Sequence, residues 1–130
     1  MQRTIINPWT WQDQLGFVQG TDIRNPQRII FCAGQASVNA DGHPLHAGDL
    51  RAQTAQAFDN LETVLQAAGL TLAHVVRLTY YTTDVNALLA NWDLITTRLQ
   101  NAQCQPASTL LGVTQLAFDL FVEIEATAVA

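Results

Sequence analysis

From Phe118 to the C-terminal Ala130 the chain alternates. Leu120, Val122, Ile124, Ala126 and Ala128 form one set, and Phe121, Glu123, Glu125, Thr127 and Val129 stand between them. A period of two predicts a strand with two unlike faces. The first face is wholly apolar and suits packing against helices; the second carries two carboxylates about 6–7 Å apart along the strand. Ionised carboxylates on a core strand of a small domain need water, a partner or a chemical task. Glu123 and Glu125 therefore mark the face on which function is sought. A second run, Arg28-Ile-Ile-Phe-Cys-Ala-Gly34, is apolar on both faces, as in a central strand covered on both sides. One helical layer covers only one of those faces.

Helical periodicity follows. Asp49 is placed to cap a helix running to about Ala68, with Gly69 as its stop. Leu50, Phe58, Leu61, Leu65 and Ala68 form its apolar stripe, interrupted by Thr54, while Arg51, Gln56, Asp59, Glu62 and Gln66 form the polar side. Asp84 caps a second helix through about Leu99, with Leu88, Trp92, Ile95 and Leu99 at helical spacing. Between the helices, the β-branched and aromatic run from His74 to Thr82 predicts a strand. Short strands are expected at Thr4–Ile6 and Phe17–Gln19, Asn25-Pro26 reads as a turn, and Ala107–Val113 starts a further strand. Gly112 marks a bulge or a close approach there. A strand joined to the next through one helix suits a right-handed parallel crossover. The expected architecture is α+β in two layers: one mixed sheet with two helices on one face, in a single domain over residues 1–130.

Composition sharpens this. Residues are 48% hydrophobic and only 13% charged, whereas soluble domains carry nearer 25% charged residues. Part of the surface is expected to be covered by copies of the chain, which the doubly apolar strand requires independently. A net charge of −5 with six basic residues argues against a nucleic-acid partner, which wants a clustered basic face. No apolar run approaches 18 residues and no secretory segment is present, so neither a membrane span nor export is expected and the assignment is cytoplasmic. Cys32 and Cys104 lack metal or redox spacing and read as reduced thiols. His43 and His46 lie three apart in a turn-rich loop, and His74 is isolated; none has the further ligands that zinc requires, so no metal and no cofactor are expected. Trp9 and Trp11 read as packing or interface aromatics.

Six short stretches carry a resemblance. Gly16-Phe-Val-Gln-Gly20, Phe31-Cys-Ala-Gly-Gln35, Gln56-Ala-Phe-Asp-Asn-Leu61, Ala67-Ala-Gly-Leu70, Thr82-Thr-Asp84 and Val122-Glu-Ile-Glu-Ala126 stand in the order and approximate spacing of the Rid (YjgF-type, endoribonuclease L-PSP-like) family, which the chain resembles over nearly its whole length. The resemblance implies a chorismate-mutase-like homotrimer with a small-molecule ligand in each cleft between subunits. For the best-known members it also implies hydrolysis of reactive enamines and imines, such as 2-aminoacrylate, to ketoacids and ammonia. Carried over by position, the family's water-holding glutamate is Glu123, and its carboxylate-binding arginine after Pro-Ala is Ser108. Its tyrosine before Val-Gln-Gly is Phe17, and its hydroxyl residue before Gly-Gln is Ala33, next to Gly34. An asparagine on the second helix falls on Asn91 or Trp92, according to the placement of a one-residue gap.

The glutamate remains while the arginine and two hydroxyls are gone. A serine cannot supply the two charge-assisted hydrogen bonds with which an arginine holds a carboxylate. The cleft is therefore expected to disfavour small anionic substrates and to favour neutral or cationic ligands with apolar area. Two functions fit. One is an imine or enamine hydrolase in which Glu123 positions or deprotonates water for a substrate lacking an α-carboxylate. The other is a non-catalytic module that holds a small ligand or a partner protein in the same cleft.

Overall fold

The computed structural model describes residues 1–130. A four-stranded sheet is formed by β3 (Ile29–Ala36), β4 (Val75–Thr82), β5 (Ala107–Gly112) and β6 (Val122–Val129), in the order β3-β6-β4-β5. The last strand runs antiparallel to both its neighbours, and β4 and β5 are parallel. The sheet is thus mixed, and the final strand lies inside it, as its alternation requires. Helices α1 (Leu50–Ala67), α2 (Val85–Ala90) and α3 (Trp92–Asn101) supply the second layer, giving the expected α+β two-layer architecture.

Strand β6 sorts its side chains as the sequence pattern demands. Val122, Ile124, Ala126 and Ala128 are buried and belong to one apolar cluster with Phe58, Leu61 and Leu65 of α1 and Ile95 and Leu99 of α3. Asp49 accepts a hydrogen bond from the Ala52 N–H and caps α1; Gly69 follows that helix at φ +76°, a conformation that glycine adopts without the penalty of a Cβ. Thr54, which interrupts the apolar stripe, is itself buried, its hydroxyl donating to the Leu50 carbonyl. A hydroxyl satisfied within its own helix can join a core face.

The opposite sheet face is uncovered and carries exposed apolar side chains beside Glu123, Glu125 and Arg77. Phe31 is 80% exposed and Ile29 is 53% exposed, with Leu111 and Thr127 on the same side by register. Soluble monomers seldom leave large aromatic side chains standing free on a sheet face.

Three local expectations change. The second helix is broken: Asn91, at φ −109° and ψ 15°, ends α2 and precedes α3. Its side-chain amide donates to the Ala87 carbonyl, and its side-chain oxygen accepts from Arg51; such local bonds compete with helix continuation. Phe17–Gln19 is not a strand. Gly16 turns at φ +80°, Val18 makes a lone parallel bridge to Ala107, and regular pairing begins only at β2 (Gly20–Arg24). Lastly, β2 pairs antiparallel with β1 (Gln2–Ile6) as a separate two-stranded ribbon.

Candidate functional site

Glu123 sits on the uncovered face of β6, paired across the sheet with Ala36 of β3 and Tyr81 of β4. Two buried side chains fix this region. Gln53 of α1 donates to the His46 carbonyl and accepts from the Phe121 N–H at 2.7 Å, and the Thr82 hydroxyl donates to the Phe121 carbonyl. The start of β6 is therefore tied to both the helix layer and β4. On the other flank, Asn60 donates to the carbonyls of Ala36 and Val38. Between these clamps β3 carries an irregularity between Cys32 and Gln35, where an extra residue bends the strand. The Glu123 carboxylate lies over Gly34, and a Cβ placed there would stand 2.8 Å from its Oε2. Glycine leaves the space that Glu123 occupies here.

The ion pairs of the chain lie elsewhere: Arg24 with Asp22, Arg51 with Asp93, and Arg98 with Asp59 and Glu62. Glu123 is thus a half-buried carboxylate without a basic partner from its own chain. Glu125, two residues on, accepts a hydrogen bond from the Tyr81 hydroxyl at 2.5 Å. That bond holds the proton on Tyr81 and raises its pKa. The two glutamates share a face but not an environment.

A cavity of about 190 Å³ opens at the β5 edge of the sheet, on the helix side. Leu15, Phe17, Tyr80, Leu89, Trp92, Ser108, Thr109 and Leu110 line it, and none of these is charged. Register explains the placement, since Ser108 pairs with Leu78 and Leu110 with Tyr80 on the face that β6 fills with Ile124 and Ala126. Phe17 is held against β5 through the Val18 N–H, which donates to the Pro106 carbonyl. Trp92, the first residue of α3, donates its indole N–H to the Leu15 carbonyl at 2.9 Å and stacks obliquely on Tyr80 at 5.0 Å.

The residues singled out in the sequence therefore fall into two groups. Phe17, Trp92 and Ser108 meet in the edge cavity; Ala33, Gly34 and Glu123 gather at the β3 irregularity, where Ala33 is exposed. Asn91 joins neither, being engaged by Arg51 and Ala87. Consecutive strand residues point to opposite faces. Tyr80 faces the cavity and pairs with Ile124, whereas Tyr81 pairs with Glu123. The cavity and Glu123 thus occupy opposite faces of one sheet and cannot serve one ligand from one chain. The cavity's missed members are Leu15, Leu89, Leu110, Thr109 and Tyr80, and in sequence they look like ordinary helix and strand residues. Only Tyr80 carries a signal there: in a Tyr-Tyr pair on an alternating strand, one hydroxyl must enter the helix-facing side.

No arginine reaches the cavity. Arg3 donates to the Gln105 carbonyl, Arg28 to the Ala68 carbonyl and Arg77 to the Thr109 hydroxyl, while the other three stand in the ion pairs given above. Both thiols are buried, and burial pushes the Cys104 thiol up to about 12 and raises that of Cys32. No helix is long and apolar enough to cross a membrane.

Comparison with known proteins gives the family and the fold. Residues 14–130 match the family described as Endoribonuclease L-PSP. The chain is 34% identical over 116 residues to a 2-iminobutanoate/2-iminopropanoate deaminase of Escherichia coli, covering 87% of this chain and 86% of that protein. It is 30% identical over 100 residues to a RutC family protein of Pyrococcus horikoshii, covering 77% and 78%. Among solved structures, YyfB of Yersinia pestis, a Rid-family protein described as of unknown function, superposes over 100% of both chains with a TM-score of 0.87 at 37% identity. The Escherichia coli protein TdcF with bound serine gives a TM-score of 0.72 at 27% identity, over 88% of this chain and 87% of that one. With family, relatives and fold in agreement over nearly its full length, the chain belongs to the Rid (YjgF, endoribonuclease L-PSP) family.

Proposed function

We propose that this protein is a homotrimeric imine hydrolase whose active site is completed between subunits, the Glu123 of one subunit facing the edge cavity of the next. The observation that carries this reading is the Glu123 carboxylate, held over Gly34 with no basic partner in its own chain. The exposed Phe31 and Ile29 on the uncovered sheet face give the subunits an apolar surface to bury, and no cofactor or metal is invoked. A 2-iminobutanoate/2-iminopropanoate deaminase among the relatives supports C=N hydrolysis as the reaction class.

In this reaction water adds to the C=N carbon. Glu123 positions the water and accepts one of its protons while solvent supplies a proton to the nitrogen, giving the carbinolamine. The carbinolamine then collapses to a carbonyl and ammonia, with Glu123 passing its proton to the leaving nitrogen and the hydroxyl proton returning to solvent. General-base assistance of this kind contributes about 10²–10⁴-fold. The substrate lacks an α-carboxylate, because Ser108 stands where the family places an arginine and no charged side chain lines the cavity.

The test is ammonia release from a panel of imines generated in situ by an amine oxidase, comparing the unmodified protein with Glu123→Gln. The expected result is turnover of uncharged imines that falls by about two orders of magnitude or more in the variant, with folding intact. Full activity in Glu123→Gln would contradict the assignment. The uncharged cavity with its Trp92 and Phe17 walls also favours a second reading, a module that binds ligands without turning them over. Saturable binding with no ammonia release from any imine would select that reading.

A further inference from the structure

One short segment separates two cavities. Leu15 and Phe17 line the edge cavity, whereas Gly16, Phe17 and Val18 line a larger cleft of about 660 Å³. Phe17 is the only residue the two share. The larger cleft is mainly polar, with Asn7, Asp13, Gln100, Gln103 and Gln105 around it. The edge cavity has few polar groups, and most of them are engaged. The Trp92 N–H is bonded to the Leu15 carbonyl, the Thr109 hydroxyl accepts from Arg77, and the Tyr80 hydroxyl is sealed in the core. Ser108 is left to meet a polar atom of a guest.

The segment is pinned at both ends. Trp92 of α3 holds Leu15 at 2.9 Å, and the Val18 N–H donates to the Pro106 carbonyl, just before β5, at 3.0 Å. Gly16 turns between these anchors at φ +80°, which glycine adopts freely. Outside, the exposed Trp11 meets the Phe17 ring edge-on at 5.7 Å.

We infer that the Leu15–Val18 segment is the specificity wall of the edge cavity, with the Phe17 ring closing the cavity off from the polar cleft behind it. The ligand class follows: an uncharged molecule with one compact apolar group, about a single ring in size, and no extended tail. This rests on the edge cavity being the ligand-binding half of the proposed site, and it holds whether or not the ligand is turned over. An apolar cavity of about 150 Å³ is enough to hold benzene, so about 190 Å³ leaves room for little beyond one ring. A longer guest must leave its tail in water at the open side, where Leu89 is 47% exposed. Remove the Phe17 ring and the tail can instead run on into the cleft.

The experiment uses two probes that need no turnover, benzyl alcohol and 4-phenyl-1-butanol. They share a ring and a terminal hydroxyl and differ by three methylenes. Binding is read by calorimetry and by quenching of tryptophan fluorescence, since Trp92 forms part of the cavity. Each methylene taken out of water is worth about fourfold in affinity. The unmodified protein is expected to favour 4-phenyl-1-butanol by less than about fourfold, and Phe17→Ala by about 10- to 60-fold. Phe17→Leu, a milder truncation, should give an intermediate preference and supplies the same reading if the alanine variant does not fold. Leu110→Trp, which fills the cavity from β5, should abolish binding of both probes. A preference above about tenfold in the unmodified protein, or one that neither Phe17 variant increases, would overturn the wall while leaving the cavity as the binding site. Probe binding that survives Leu110→Trp would place the ligand elsewhere and remove the reading on which the wall depends. The two failures are therefore told apart.

Discussion

Replacing Gly34 by alanine separates the chemistry of Glu123 from the stability of the sheet. An added methyl would lie 2.8 Å from the Glu123 Oε2, 2.9 Å from its carboxyl carbon and 3.2 Å from its Cγ. Real Cβ contacts are near 3.4 Å or longer, so the carboxylate must retreat by up to about 1 Å. The contact is with the far end of a flexible, half-buried side chain, so rotation of Glu123 relieves it without moving the backbone. Gly34 is not among the residues at positive φ, and alanine at a compatible position restricts the unfolded chain, a gain of about 0.4–1 kcal/mol. That gain offsets the rotamer cost of moving Glu123, of order 0.5–1.5 kcal/mol. The predicted net stability change is within about 1 kcal/mol. Catalysis is far more sensitive, because a misplacement of about 1 Å costs on the order of 10²-fold. Chemical denaturation and ammonia release on the same preparation form the assay. An unchanged midpoint with activity down about 10- to 100-fold is expected. Retained activity would show that the position of Glu123 over Gly34 does not matter to the reaction.

Other outcomes follow from the same geometry. The two tyrosines, Tyr80 and Tyr81, both have pKa values raised, by burial and by the bond to Glu125 respectively. The native protein should show less tyrosinate absorbance at pH 10 than the unfolded chain, and a group with a raised folded pKa contributes stability that is complete below its ordinary pKa and lost as pH rises through the folded pKa; equal tyrosinate absorbance in native and unfolded protein at pH 10 would refute this. Cys104, pushed up to about 12, and buried Cys32 should both resist a thiol reagent at pH 8 until the protein unfolds; a rapidly reacting thiol in native protein would contradict the packing. On 2-aminoacrylate, pyruvate release should barely exceed the spontaneous rate, since loss of charge-assisted bonds worth about 1.5–3 kcal/mol removes about 10- to 150-fold. Ser108→Arg should raise that rate, and efficient turnover by the unmodified protein would mean that a cation reaches the cavity.

Much of the architecture was legible because it rests on strong periodicities. The alternation of β6 and the Asp49 and Asp84 caps each place their elements, and each has a local physical cause; the doubly apolar Arg28–Gly34 run, read as a central strand, instead forms the edge strand β3, with Phe31 and Ile29 exposed on its uncovered face. The break at Asn91 was hidden, because Leu88, Trp92, Ile95 and Leu99 keep helical spacing across it while side-chain bonds to Ala87 and Arg51 do the interrupting. The false strand at Phe17–Gln19 has a similar origin: apolar residues there serve the cavity and one bridge to Ala107 rather than a ladder. At the site, Glu123 stood out in sequence as a charge on a core strand, and its tie to Gly34 followed once β3 was seen to bend. Tyr80 did not stand out, since a tyrosine in a β-rich run is unremarkable until its hydroxyl is found buried without a partner. The division of the site between opposite sheet faces depends on strand order and register, which residue spacing does not carry.

Subunit complementation tests the central claim most directly. Glu123→Gln supplies an intact cavity without the carboxylate, and Leu110→Trp supplies the carboxylate with its cavity filled. Each variant is first shown by light scattering to form a trimer of the 14.2 kDa chain, and each should be inactive alone. If every site takes its Glu123 and its cavity from different subunits, random 1:1 mixing leaves both halves intact in about one quarter of the sites. Refolding the two together should therefore restore about a quarter of the unmodified imine-hydrolysing activity. A mixture as inactive as its components would contradict an active site shared between subunits.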